Sequence, residues 1–180
     1  VSSVDSTCTP VPNINFSLTG TKIIGTPSVL KYPTQNFVTS SSGNYTISNL
    51  EWDTYAFALT SASYDLMGAT LLPSFGINPN ENKTLQMVVS PHIDGAILVS
   101  VIDSSGNAID GASVRLQRGV FDETKTTNTN PCVTPGQVFW NGLSNGTYTL
   151  TVSKGGYTTY VNSTLNISSA WQNQTITLTP

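Results

Sequence analysis

Charge is what this chain has least of. Lys, Arg, Asp and Glu make up 9% of its 180 residues, where an ordinary globular domain carries roughly 25%. The 7 Lys and Arg are scattered, so there is no basic stripe to neutralise phosphates, and nucleic acid is excluded as a partner. Long apolar runs are missing too. The longest, AILVSVI at Ala96 to Ile102, falls far short of the roughly 20 residues that span a bilayer, so no membrane insertion is expected within this stretch. There is no charged-then-apolar leader, which fits a mature or excised ectodomain with any anchor elsewhere. No window of a dozen residues repeats with the 3.6 period of an amphipathic helix. Cysteine is scarce: Cys8 and Cys132 are too few to fix a redox compartment.

Ser, Thr, Asn and Gly fill the space that charge leaves. Ser, Thr and Asn compete with helical backbone bonds, and Thr suits strands, so the composition is β-rich. An apolar fraction of 38% still allows a core. N-x-Ser/Thr sequons stand at Asn15, Asn44, Asn82, Asn145, Asn162, Asn166 and Asn173, modestly more than so hydroxyl-rich a composition yields unaided. A neutral, polar surface of this kind is expected of a protein outside the cell.

The chain repeats itself. Gly43 to Tyr64 aligns without gaps on Gly136 to Tyr157, at an offset of 93. Tyr45, Ile47, Leu50, Tyr55, Phe57, Leu59 and Tyr64 face Val138, Trp140, Leu143, Tyr148, Leu150, Val152 and Tyr157. Upstream, Pro12 to Leu18 faces Asp110 to Leu116 at offset 98; downstream, Asn82 to Val88 faces Asn173 to Thr179 at offset 91. Offsets that hold within blocks and drift between them mean that loops changed length while strands kept register. Within the blocks apolar residues alternate with polar ones, the period of half-buried strands. Turn signals such as SSGN, at Ser42 and again at Ser104, punctuate them. The expectation is all-β: two tandem antiparallel sandwiches, residues 1–90 and 91–180, of the seven-stranded type that the family resemblance described next implies. Packing constrains the inward positions, each worth roughly 1.5–3 kcal/mol of burial, and the outward positions drift freely.

The second copy carries D-x-x-G-x-x-I-x-G-A-x-V-x-L from Asp103 to Leu116. It is followed by G-x-V-x-W-x-G-L-x-x-G-T-Y-T-L-x-V-x-x-x-G-Y from Gly136 to Tyr157. This resembles the carboxypeptidase regulatory-like domain, a transthyretin-like sandwich close in architecture to the stalk repeats of collagen-binding adhesins. The resemblance covers Gly95 to Pro180 and, more weakly, Pro12 to Pro91. The first copy resembles surface or pilin-like ectodomains. The resemblance supplies the fold; from the absence of a recognisable site and from context, the expectation is a non-catalytic structural or adhesive module of a cell-surface or pilus-type protein, with no cofactor. Its partners would be proteins or copies of itself. A carbohydrate-binding module, or an accessory domain of a larger secreted hydrolase, is the alternative. Stalk domains can carry a Lys–Asn isopeptide bond with a nearby acid. Ile97 to Ile102 holds no Lys, and Thr149 and Thr151 stand where the Glu is needed, so none is expected.

Aligning the copies exposes a shortfall. Val4 and Asp5 fall opposite Ile102 and Asp103, leaving Val1 to Ser3 for the rest of the first strand. Either the edge strand is short, or another chain supplies it by β-augmentation; the second idea fails if Val1 to Asp5 pairs in its own sheet. Cys8 and Cys132 are expected to pair, as lone cysteines outside the cell usually do. In a head-to-tail stack that bond would require the domains to fold back on each other, and free thiols or bonds to other chains are the alternatives.

Candidate chemistry is thin. His92 has Asp94 nearby but no nucleophile in context. Asp103, Asp110, Asp122 and Glu123 could be imagined around calcium, which wants six to eight oxygens from a tight loop; they sit where strand-connecting turns ordinarily carry Asp. Trp52 and Trp171 lie in loops and are the candidate contact aromatics for a glycan, whereas Trp140 has the parity of a core residue.

Overall fold

The computed structural model describes residues 1–72, 74–129, 132 and 134–180, and these form strands and turns without a helix. They divide into two compact units, Val1–Ser90 and Pro91–Pro180.

The first unit contains β1 (Ser2–Val4), β2 (Asn15–Gly20), β3 (Ile23–Ile24), β4 (Val29–Leu30), β5 (Gln35–Val38), β6 (Asp53–Leu59), β7 (Tyr64–Ala69), β8 (Ser74–Ile77) and β9 (Gln86–Pro91). One sheet is ordered β1-β9-β7 and the other β5-β2-β6-β8, with β3-β4 a separate small hairpin. The second unit contains β10 (Ile97–Ile102), β11 (Ser113–Arg118), β12 (Phe121–Thr126), β13 (Gln137–Trp140), β14 (Gly146–Ser153), β15 (Tyr160–Ile167) and β16 (Gln172–Thr177), in sheets β13-β10-β16 and β12-β11-β14-β15.

The period-two reading holds where one face is wet. Tyr148, Leu150 and Val152 are buried on β14, as are Tyr55 and Phe57 on β6, with their neighbours half-buried or exposed. It does not hold on β10, which is buried on both faces except at its last residue; an almost unbroken apolar run is the signature of a central strand covered on both sides. The purely antiparallel expectation needs a correction. β1 pairs with β9 and β10 with β16 in parallel, while the four-stranded sheets are antiparallel throughout. The last strand of each unit reaches the first by a crossover from the opposite sheet, not a hairpin, so it arrives running the same way.

The repeat is a repeat of hydrogen bonds. Val101 N donates to Gly136 O (2.7 Å) as Ser3 N donates to Gly43 O (2.8 Å), and Ile109 N donates to Val101 O as Val11 N does to Ser3 O. The phenol of Tyr148 donates to Ser144 O and that of Tyr55 to Glu51 O, both at 2.9 Å. This ties the head of a buried ring to the chain four residues back, which explains why the inward position is Tyr in both copies. A second shared device was not legible beforehand. The hydroxyl of buried Thr127 accepts from Ala112 N and donates to Ile109 O. In the first unit Thr39 accepts from Ile14 N, and Ser3 carries the link on to Val11 O.

The ladders also correct one alignment. Ser2 faces Gln86 where Ser100 faces Thr175, so β9 matches β16 at an offset of 89, not 91. Sequence similarity between NKTLQMV and NQTITLT is a coincidence of sequons. Register follows the inward residues, with Met87 in the place of Ile176 and Val89 in that of Leu178, all buried.

Candidate functional site

The two copies differ most at the start of the first unit. In the second, six residues of β10 pair with β16, and four of them also pair with β13. In the first, β1 contributes three pairs to β9. Val1 then takes the place of Val99: its ammonium donates to Tyr45 O (2.8 Å) and Tyr45 N donates to Val1 O (2.9 Å), as Val99 faces Val138. Val1, Leu18, Thr46 to Leu50, Phe75, Ile77 and Glu81 to Leu85 line a cleft of about 490 Å³. Residues 45–48 form no strand, and Tyr45 is 37% exposed although its parity is inward. The counterpart segment, β13, is held by β10. Burial holds the Val1 ammonium below its ordinary pKa.

A second surface feature escaped the sequence reading. The β3-β4 hairpin exposes Ile23, Ile24, Val29 and Leu30 together. Two residues per strand are too few for periodicity to register.

The candidate aromatics separate. Trp52 is 60% exposed, but Lys22 Nζ sits 3.4 Å from its ring centroid, so one face already holds a cation. Trp171 is half-buried. Trp140 is core, as its parity required, and its indole N–H donates to Glu123. His92 Nε2 lies 3.4 Å from Asp94 Oδ1 in an exposed pair. Asp103 is used by its turn: it accepts from the amides of Ser105 and Asn107 and from the Asn107 side chain. Those bonds, led by the Asn107 side chain, hold its carboxyl below the usual range. Asp5 does the same in the first unit, with the Thr7 hydroxyl the largest cause. Asp110 accepts from Gly136 N and from Asn128. Asp122 is bidentate to Arg115, whose guanidinium lowers its pKa. No group of three or more His, Cys, Asp or Glu suited to a metal occurs among the described residues.

Of the sequons, Asn15, Asn44, Asn82, Asn145 and Asn166 are exposed, and Asn162 and Asn173 are half-buried. Asn173 Oδ1 is buried without a partner, which makes it the least accessible acceptor. Cys8 is exposed and Cys132 buried; neither is a free thiol. Cys8 stands at the turn position of Gly106, with φ +65° against +82°, and its amide donates to Asp5 O as Gly106 N does to Asp103 O.

Among the described residues, each unit thus carries two sheets of mixed pairing, sandwich-like in architecture, the first with an added hairpin. Residues 96–179 match the family model of the carboxypeptidase regulatory-like domain. No curated protein matches the chain in sequence. Among solved structures, a streptococcal ancillary pilin is similar at 15% identity and TM-score 0.35, over 99% of this chain and 60% of its own. The Bacillus anthracis TIE protein is similar at 13% and 0.33, over 98% and 32%. The C-terminal fragment of the pilus adhesin SpaC from Lactobacillus rhamnosus GG is similar at 14% and 0.34, over 99% and 95%. The chain therefore spans 60% and about a third of the first two structures.

Proposed function

We propose that this chain is a non-catalytic structural or adhesive module of a protein outside the cell, of cell-surface or pilus type. The observation that carries the reading is what the two units share. Most of the repeated positions are turns, ladder bonds or buried side chains, and the repeated carboxylates, Asp5 and Asp103, are bound into their turns. The mechanism is mechanical. Because the first and last strands of each unit run in parallel, pulling on the ends of a unit loads their ladder in shear. The bonds must then break together, not one after another. Six register pairs join β10 to β16 and three join β1 to β9.

Stretching single molecules of the chain held by its ends, with the cysteines reduced so that the force passes through both units, tests this. Two rupture classes are expected, the stronger from the second unit. Featureless extension at low force would overturn the reading, and selective retention of glycans on an array would favour a carbohydrate-binding module instead. The regulatory-like family match leaves an accessory domain of a secreted hydrolase as the other alternative.

We further propose that Cys8 and Cys132 form one intrachain bond. The support is that the chain's two cysteines are both oxidised. Mass spectrometry of the monomer should then gain two hydrogens on reduction; a mixed disulfide with a second chain, seen as a covalent dimer, would exclude it.

A further inference from the structure

The fold does not present the seven sequons equally. Glycan transfer uses two groups of a sequon at once. The Asn amide nitrogen must reach the sugar, and the hydroxyl two residues on must be free for the transferase to read, which is why acceptor sequons belong to surface loops.

Five of the seven fail a requirement. Asn15 lies on β2, between β5 and β6, and the hydroxyl of its sequon is that of Ser17, only 7% exposed. Asn44 spends its amide nitrogen on Ser42 O, 3.1 Å away. Asn162 and Thr164 engage each other, with Asn162 Oδ1 accepting from the Thr164 amide at 2.9 Å and hydroxyl at 3.0 Å. Asn166 lies on β15, and the hydroxyl of its Ser168 accepts from the Gln172 side chain at 3.1 Å. Asn173 is half-buried on β16, which is paired to β10, and its Oδ1 is buried.

Asn145 with Thr147, and Asn82 with Thr84, meet both requirements. All four residues are exposed, and among the described residues no protein hydrogen bond engages any of their side chains. Asn82 lies in the loop between β8 and β9, and Asn145 in the turn that leads into β14. The Asn145 turn is held without using the sequon: Arg118 donates to Ser144 O at 3.2 Å and lies over the Tyr148 ring. The residue between Asn145 and Thr147 is Gly146, which has no side chain to crowd either group.

We propose that Asn145 and Asn82, one in each unit, are the acceptors of N-linked glycans, and that the fold withholds the other five sequons. The donor is an oligosaccharide on a lipid pyrophosphate carrier. The Asn Nδ2 bonds to the anomeric carbon of the first sugar and the bond from that carbon to the carrier's phosphate oxygen breaks. The lipid pyrophosphate leaves with the electron pair, and Nδ2 releases one proton. The proposal rests on the extracellular placement in the module reading and adds what covers that surface. With 9% of its residues charged, the chain has little repulsion of its own to keep copies apart, and bulky, hydrated glycans supply it.

In the test, the folded chain is incubated with a single-subunit oligosaccharyltransferase and a polyprenyl-pyrophosphate-linked oligosaccharide. Synthetic peptides, each spanning one sequon, are treated alongside. Mass spectrometry of proteolytic glycopeptides reads the occupancy of each site. The peptides should accept to similar extents, whereas in the folded chain Asn145 and Asn82 should be occupied at least about tenfold more than any other sequon. Thr147→Ala should abolish transfer to Asn145 and leave Asn82 unchanged, and Thr147→Ser should retain transfer at both. Similar occupancy of all the sequons in the folded chain would overturn the proposal, as would a lead by any of the other five. So would an unmodified Asn145 or Asn82 in the folded chain, whether or not its peptide is accepted. None of these outcomes touches the module reading, which stands or falls on the rupture of the second unit.

Discussion

Gly136→Ala should be among the most damaging single substitutions in the chain. Gly136 has φ +65°, and a Cβ there would lie 2.5 Å from Val101 O and 3.0 Å from the Ala108 side chain. Val101 O belongs to the central strand of its sheet and accepts from Ile109 N, so it cannot withdraw without breaking a ladder. The left-handed conformation alone costs an L-residue about 1–2 kcal/mol, and the clash adds to it. A loss of at least about 3 kcal/mol is expected in denaturant unfolding. Gly106→Ala separates the two causes: φ is +82° but nothing lies within 4 Å, so about 1–2 kcal/mol should be lost there. Equal losses at both sites would mean that backbone conformation, not crowding, makes Gly136 necessary. The first unit makes the same demand at Gly43, with φ +74° and Ser3 O at 2.8 Å.

Thr127→Val is the second. It preserves shape and removes one oxygen. That oxygen accepts from Ala112 N at 2.9 Å and donates to Ile109 O at 2.7 Å, in a residue 1% exposed. Each buried group left without a partner costs about 1–3 kcal/mol. The expected loss is therefore roughly 2–4 kcal/mol, or a Tm lower by roughly 10–20 °C in a circular dichroism melt. Thr127→Ser retains the hydroxyl and should cost under about 1 kcal/mol of lost methyl burial. A valine variant as stable as the parent would mean that the two backbone groups find other partners, and that the hydroxyl is incidental.

Much of this fold was legible because a sandwich writes its inward face into the sequence every second residue. Tyr148, Leu150 and Val152 declared themselves core, and Trp140 did so against its apparent promise as a contact residue. The Tyr pair was legible as a pair, and its reason, a phenol bonded four residues back, became visible only with the carbonyl in place. Thr127 and Thr39 were not legible at all. Among so many threonines nothing in sequence distinguishes one whose hydroxyl is buried. Tyr45 misled only in part: its ring packs against Phe16 and Phe37, as inward parity requires, yet it stays 37% exposed. The sequon match between Asn82 and Asn173 misled in a different way, since surface letters recur by composition while register is kept by buried ones.

For the candidate site the balance is similar. Aligning the copies exposed the short first strand. That β1 nevertheless pairs with β9, and in parallel, required the ladder. The sequence by itself determined the all-β class, the duplicated frame, the turns and most of the core, because those follow from local backbone preference and a period of two. The tertiary structure decided which strands run in parallel and which hydroxyls and glycines cannot be replaced. Those depend on what the chain brings alongside from 15 to 84 residues away, which no local pattern encodes.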